Sequence, residues 1–397
     1  MRSNEKVILL TLGFVQFTHV IDFMIMMPLG PQFMRLFSIG PKEFSILVSA
    51  FTIAAGISGL LGAMFIDKFD RKTTLTFCYS GFILGTTLCG FSDSYYILMI
   101  ARIVTGLFGG VMSALILSII SDIIPMERRG MAMGIVMSAF SVASVIGVPT
   151  GLYLATEYNW HIPFWSVAIL SLPVLLMIRL FIPSLSSHMV DQESGINFNF
   201  FRNILKDKNQ LNALMLTVTL VLGWFIVIPF ISPFMVSNIG FRENQLPLIY
   251  LVGGVASIFT GPVVGKLSDK FGRFKIFRIF VFVSIIAISS LTNLPKVSMA
   301  IALLVTSLFF ICSSGRMVPV QAMLSSAVHP KIRGSFMSVN SAVQQLTAGL
   351  AAFIGGVVVT KSESGALEHY ALSGLIAIAF SLCALYFSSK IKVVEQS

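Results

Sequence analysis

The chain has 397 residues, of which 56% are hydrophobic and only 11% charged, and its formal net charge is +10. So little polar surface cannot clothe a soluble globule of this length, and the lipid bilayer is the expected solvent. The excess of positive charge would suit a nucleic-acid partner in a soluble protein, but here the basic residues punctuate the ends of apolar blocks and read as a topology signal.

A membrane helix needs roughly 20 apolar residues to cross the hydrocarbon. Twelve such blocks follow one another, at 7–30, 44–66, 73–91, 95–121, 131–154, 162–182, 211–236, 245–265, 274–291, 298–325, 335–359 and 370–388. With the N-terminus inside, the outer loops carry only Arg35, Lys42, Arg242, Lys296 and Lys361, and every other Lys and Arg except Arg102 and Arg316 falls on the inner side. Both termini are therefore expected in the cytoplasm. The first block follows Arg2 and Lys6 as a signal peptide would, yet it is too long for one and lacks a small-residue cleavage site, so it reads as an uncleaved helix. Cys78, Cys89, Cys312 and Cys383 all lie inside apolar blocks, which indicates neither a disulfide framework nor a zinc site.

Within the first block, Gln16, His19 and Asp22 recur at helical spacing on one face. Asp22 is the one acidic residue deep in a block, and inserting a carboxylate there costs about 2.5–3.5 kcal/mol, so it needs a partner or a purpose. Arg102, in the fourth block, lies at a similar depth of roughly 12 Å from the outer surface at about 1.5 Å per residue, and the two are placed to pair. His19 is either a packed helix residue or a second proton-handling group beside that carboxylate. In the fifth block, Gly147 and Gly151 allow a close helix contact while Pro149 removes a backbone donor and bends the helix.

The long polar interval 183–210 divides the blocks six and six and reads as a cytoplasmic linker between domains at 1–182 and 211–397. The halves also repeat. Asp67-Lys68-Phe69-Asp70-Arg71 recurs as Asp269-Lys270-Phe271-Gly272-Arg273, and Pro125-Met126-Glu127-Arg128 as Pro330-Lys331-Ile332-Arg333, at nearly the same offset. In the second half Arg316 is an intramembrane cation with no acidic residue at its depth, either solvated by carbonyls or facing a substrate. Asn340, Gln344 and Gln345 on the eleventh block could orient a ligand, and Trp224 on the seventh could stack on one. Asp22, Arg102 and Arg316 together sum to +1, or +2 with Asp22 protonated, which favours anionic or neutral polar solutes over lipophilic cations.

The stretch Gly265-Lys266-Leu267-Ser268-Asp269-Lys270-Phe271-Gly272-Arg273 resembles the G-x-L-x-D-[RK]-x-G-[RK] loop of the major facilitator superfamily. The first-half copy departs from it, with Ala63 where Gly is usual and Asp70 in place of the turn Gly, a substitution that Asp tolerates in turns. Arg102-Ile103-Val104-Thr105-Gly106 is similar to the family's R-x-x-x-G motif. Gly147-Val148-Pro149-Thr150-Gly151 is similar to the Gly-Pro kink of its drug:proton antiporters and arabinose-efflux-permease-like members. The resemblance implies an all-α membrane protein of twelve transmembrane helices in two pseudo-symmetric six-helix bundles, with the first, fourth, seventh and tenth helices lining a central path.

The expected function is proton-coupled export of a small polar, neutral or anionic, or amphipathic solute by alternating access. Asp22, Arg102 and His19 are the expected proton-coupling residues, and Arg316, Gln344, Gln345, Asn340 and Trp224 the substrate contacts. Asp67, Arg71, Asp269, Arg273, Gly147, Pro149 and Gly151 are the expected gate. Proton-coupled uptake and a non-transporting sensor are the alternatives. No catalytic motif, metal site or cofactor is expected. The expected partners are a solute, protons and membrane lipids but no nucleic acid, for a monomer in the plasma membrane, specifically a bacterial inner membrane.

Overall fold

In the computed structural model the described residues are 3–65, 68–186, 204, 206–329 and 332–394. Most of the expected linker, 183–210, therefore lies outside them. Among the described residues, eleven helices are long and apolar enough to cross a membrane. The helix Arg71–Gly90, the third of the twelve expected, is also present but is not among those eleven, its threonines, glycines and serine making it less apolar. We number the twelve spans in chain order.

The first span is Ser3–Ile25, shorter at its C-terminal end than the apolar block, 7–30, that it matches. Pro28 and Pro31 supply the reason, since a proline inside a helix removes a backbone donor and clashes with the preceding turn. The chain turns through residues 26–29 and starts a short helix, Gly30–Leu36, with proline in its first turn. The second span is Pro41–Phe65, the fourth Tyr95–Ile123 and the sixth His161–Phe181. The fifth consists of Met126–Val142, a π-helical turn Ala143–Gly147 and Val148–Glu157, so the wide turn falls immediately before Pro149. Proline cannot donate to the normal ladder, and a π turn accommodates the break.

The seventh span, Lys208–Ile239, is broken at residues 226–230 and has its own π turn, Met235–Ile239. The eighth to twelfth are Leu246–Phe271, Arg273–Thr292, Met299–Ser326, Arg333–Val358 and Tyr370–Lys390. The eleventh carries Gly355 and Gly356 but no proline, and it runs unbroken. A two-stranded ribbon, Thr360–Lys361 with Leu367–Glu368, joins the last two spans, and Asn238 holds it through both bonds of its amide to the Leu367 backbone.

The chain forms two compact units, Met1–Met26 with Ala50–Asn197, and Met27–Ser49 with Phe198–Ser397. The first unit is built on a core in which Leu12 and Val15 meet Tyr79 and Phe82 of the third span, Ile116 and Ile119 of the fourth, and Ile178 of the sixth. Its outside is as apolar as its inside, with Leu84, Ile100, Leu172 and Leu176 all exposed. Continuous apolar exteriors of this extent are expected only where lipid covers them. The second unit includes the outer end of the first span's connection and the start of the second span. Arg35 forks onto both carboxylate oxygens of Glu243, Ser49 donates to the Gly349 carbonyl at 2.8 Å, and Phe44 packs edge-on against Phe230.

The two loop repeats differ in conformation. Gly272 has φ 93°, a region that favours glycine, whereas Asp70 has φ −57°. The expectation that Asp70 stands in for the turn glycine is thus corrected. It is an N-cap instead, accepting from the Thr73 amide at 2.8 Å and from the Ser184 hydroxyl and Leu185 amide at 2.8 and 2.6 Å. Partial burial pushes its carboxyl up, but the bonds from Thr73, Ser184 and Leu185 together hold it below the usual range. A depressed carboxyl contributes stability above its unfolded pKa and loses it as pH falls through the folded value. Asp70→Ala is expected to cost about 1 kcal/mol at neutral pH and to remove part of the acid sensitivity of the melt, as read by thermal unfolding between neutral and acidic pH. An unchanged melt would mean that the cap contributes nothing in the intact fold.

Candidate functional site

Asp22 and Arg102 meet in the core of the first unit, with exposures of 0% and 1%. Arg102 Nη1 donates to Asp22 Oδ2 at 2.7 Å and to the Asp22 carbonyl at 3.3 Å. Thr86, one turn before the end of the third span, donates to the other carboxylate oxygen at 3.0 Å. The guanidinium lies 4.4 Å from the centroid of the Phe51 ring, at cation–π distance. Four spans therefore meet at the ion pair: the third and fourth bond the carboxylate of the first, and the second lays an aromatic face on the guanidinium. A buried ion pair of this kind adds little net stability, but removing one partner strands a buried charge and costs about 3–5 kcal/mol.

The local sequence explains the approach of the spans. Gly106, at the end of the R-x-x-x-G motif, lies so close to the second span that a Cβ there would overlap the Phe51 carbonyl, and one on Gly110 would overlap that of Ala55. Glycine at i, i+4 admits the neighbouring backbone, and it is this contact that lays the Phe51 ring on Arg102. In the fifth span, a Cβ on Gly147 would come within 2.5 Å of Ile21 Cδ1 and one on Gly151 within 2.6 Å of Ile25 Cδ1. The Gly147, Pro149, Gly151 motif thus seats the part of the first span that carries Asp22.

His19 is buried one turn from Asp22, between Phe51 and Phe82 at ring distances of 6.1 and 5.9 Å. Among the described residues neither ring nitrogen has a hydrogen-bond partner, and neither does Gln16 Oε1. The structure brings Asp22 and Arg102 into contact, while His19, one turn away, makes no hydrogen bond to either. Thr86 and Phe51 were not anticipated from the sequence, because threonines that bond their own helix and phenylalanines that fill cores are common, and the chain has 35 Phe.

Of the loop residues expected to form the gate, Asp67 lies outside the described residues. Arg71 is buried and approaches Asp122 of the fourth span at 3.4 Å, while Arg128 forks onto Glu5 at 2.9 and 3.2 Å. In the second unit, Arg273 donates to the Ala322 carbonyl at 3.1 Å, and Asp269 is exposed with no bond or ion pair among the described residues.

Arg316 is 1% exposed in the second unit. Its Nη1 donates to Ser381 Oγ of the twelfth span at 2.9 Å, and that hydroxyl in turn lies 3.1 Å from the Gly223 carbonyl and 2.9 Å from that of Ala377. Among the described residues Nε and Nη2 have no hydrogen-bond partner. Of the other expected contacts, Asn340 accepts from Thr217 at 2.5 Å and is buried at 1%, so it ties the eleventh span to the seventh. Gln344 and Gln345 are half-buried without a hydrogen bond among the described residues, and the Trp224 indole N–H is buried without one. Among the described residues, no hydrogen bond joins Arg316, Asn340 and Trp224 to one another.

The comparisons agree with this architecture. The sequence is 24% identical over 339 residues to an uncharacterized MFS-type transporter, YtbD, of Bacillus subtilis, covering 84% of this chain and 83% of that one. It is 23% identical to the putative transporter AraJ of Escherichia coli over 61% of this chain and 60% of that one. Among solved structures, the D-xylose-proton symporter superposes with a TM-score of 0.78 at 17% identity, over 99% of this chain and 100% of that one. A bacterial homolog to the human lysosomal transporter Spinster, inward-facing and unoccupied, superposes with a TM-score of 0.76 at 17% identity, over 98% and 97%. The Major Facilitator Superfamily sequence model matches residues 12–310 and 213–395, and with helices enough to span a membrane repeatedly and a lipid-type exterior, the chain is an integral membrane protein that belongs to that superfamily of transporters.

Proposed function

We propose that the chain is a proton-coupled secondary active transporter, an exporter that exchanges protons for a small polar, neutral or anionic, or amphipathic solute by alternating access. The observation that carries this reading is the Asp22–Arg102 pair, a carboxylate wholly removed from solvent and held by a cation and a hydroxyl, with an aromatic face laid on the cation. Intramembrane ionisable groups are expensive and mark ion and proton pathways. Protonation of Asp22 cancels its attraction for Arg102, so the two protonation states favour different packings of the first and fourth spans. His19 and Gln16, on the same face and unpartnered, extend a polar line along the first span. The export direction rests on the Gly147-Val148-Pro149-Thr150-Gly151 resemblance, and a bacterial inner membrane with both termini inside rests on the charge distribution and on the relatives in Bacillus and Escherichia.

The test is made in proteoliposomes loaded with a pH-sensitive dye and offered a panel of sugars, nucleosides and carboxylates. The reading requires that a transported solute drive protons in the opposite direction. Protons moving with the solute would make the protein an uptake symporter, and no proton movement with any transported solute would remove the coupling.

The exposed loop carboxylate of Asp269 and its neighbour Arg273 serve, in this reading, as part of the inner gate together with Asp67 and Arg71. Asp269→Asn is expected to increase labelling of single cysteines placed in the inner loops by a membrane-impermeant thiol reagent. Equal labelling in parent and variant would reduce the motif to a topology signal.

A further inference from the structure

Arg102 and Arg316, each 1% exposed, are treated very differently by their surroundings. Arg102 has a carboxylate at 2.7 Å and a phenyl face at 4.4 Å. Arg316 is just as buried, yet no described carboxylate reaches it, and its single bond is to the hydroxyl of Ser381. The two donors left over, Nε and Nη2, share one edge of the planar guanidinium and point the same way. That edge matches the two oxygens of a carboxylate or a phosphoryl group. A buried charged donor without an acceptor is costly, and buried polar groups in folded proteins are almost always satisfied.

Ser381 makes the arrangement look built. Its hydroxyl has two carbonyl acceptors, Gly223 and Ala377, available for its own proton, which leaves a lone pair for Arg316 Nη1. A Cβ on Gly223 would come within 2.5 Å of Ser381 Oγ, so the seventh span approaches closely just where the hydroxyl is held. The guanidinium is therefore anchored at one nitrogen and oriented, with the opposite edge unspent.

We infer that the Nε–Nη2 edge of Arg316 is an anion-recognition site, that the transported solute carries a carboxylate or phosphoryl group that forks onto it, and that Ser381 is its positioning residue. The inference rests on the reading of the chain as a solute transporter and narrows the solute to an anion. Binding of the anion supplies the countercharge that Arg102 receives from Asp22 within the protein. A neutral solute leaves the edge unpaired and binds more weakly for that reason.

The experiment uses the purified full-length protein at constant ionic strength, with benzoate, phenylphosphonate and the neutral isostere benzamide as probes, read by thermal unfolding and by titration. One or both anions are expected to raise the melting temperature in a saturable way while benzamide does not, and the anion that acts distinguishes carboxylate from phosphoryl recognition. Arg316→Met should unfold at a higher temperature than the parent without ligand, because a buried charge lacking a partner is replaced by an apolar chain of similar length, and it should lose the anion response. Ser381→Ala should weaken anion binding by about tenfold or more with benzamide unaffected, and Ser381→Thr should restore it.

A parent indifferent to both anions overturns the inference, as does a response that survives in Arg316→Met, or an Arg316→Met protein less stable than the parent. Asp22→Asn separates this from the coupling proposal. It should bind the anion as the parent does while failing to couple, so anion binding without proton flux sinks the coupling alone, and proton flux without anion selectivity sinks the Arg316 site alone.

Discussion

Asp22→Asn is expected to abolish accumulation of solute against its gradient while leaving folded yield near that of the parent, and Asp22→Ala is expected to lower both. The amide keeps an acceptor for Arg102 Nη1, and the Thr86 hydroxyl, now donating at 3.0 Å, can turn to accept from the new NH2. Asn also has the charge of the protonated acid, a state through which a cycle coupled at Asp22 must pass. Alanine removes the carboxylate and leaves Arg102, at 1% exposure, only the backbone carbonyl of residue 22 without a countercharge, a change in the range of about 3–5 kcal/mol. A protein of marginal stability does not absorb that easily. The measurements are accumulation in proteoliposomes under an imposed proton gradient and folded yield by size-exclusion chromatography. Accumulation that persists in Asp22→Asn would take coupling away from this residue, and normal yield of Asp22→Ala would mean that Arg102 finds another partner or water.

Gly106→Val is expected to destabilise the first unit and to disturb the Asp22 site without touching a charged group. The Cβ position at Gly106 is occupied by the Phe51 carbonyl, and backbone, unlike the tip of a side chain, does not swing aside. Overpacking of this kind costs about 1–3 kcal/mol and more where relaxation is blocked. Relaxation here means moving the second span outward, which carries the Phe51 ring off the Arg102 guanidinium. The variant should therefore melt earlier than the parent and lose transport beyond what its folded fraction explains. The same substitution at Gly134, whose Cβ position is open, should leave the melt unchanged and serves as the control. A Gly106→Val protein with parental stability would show that the second and fourth spans are free to part.

Much of the architecture was legible because a membrane imposes strict periods and lengths on a sequence. Apolar blocks near 20 residues, basic residues at their inner ends and a loop that repeats in both halves need no side-chain geometry to be read. Asp22 and Arg102 could be paired by depth alone, since helical rise converts sequence position into distance from the surface. The departures came where local chemistry overrode the block pattern. Pro28 and Pro31 stopped the first span at Ile25, and the bonds available to Asp70 made it a cap where glycine would have made a turn.

What the sequence by itself determined, then, is the membrane fold, the family and the identity of the rare charges inside the bilayer, because burying a charge is expensive enough to make each one conspicuous. What only the tertiary structure decided is how those charges are satisfied. That Thr86 and Phe51 complete the Asp22 site, that Asn340 is spent on Thr217, and that Ser381 holds one nitrogen of Arg316 while two remain unmatched all depend on contacts between spans far apart in the chain. Hydroxyls and phenyl rings are cheap to bury and plentiful, so nothing in their spacing marks the few that face a charge. Only the packing of one helix on another picks them out.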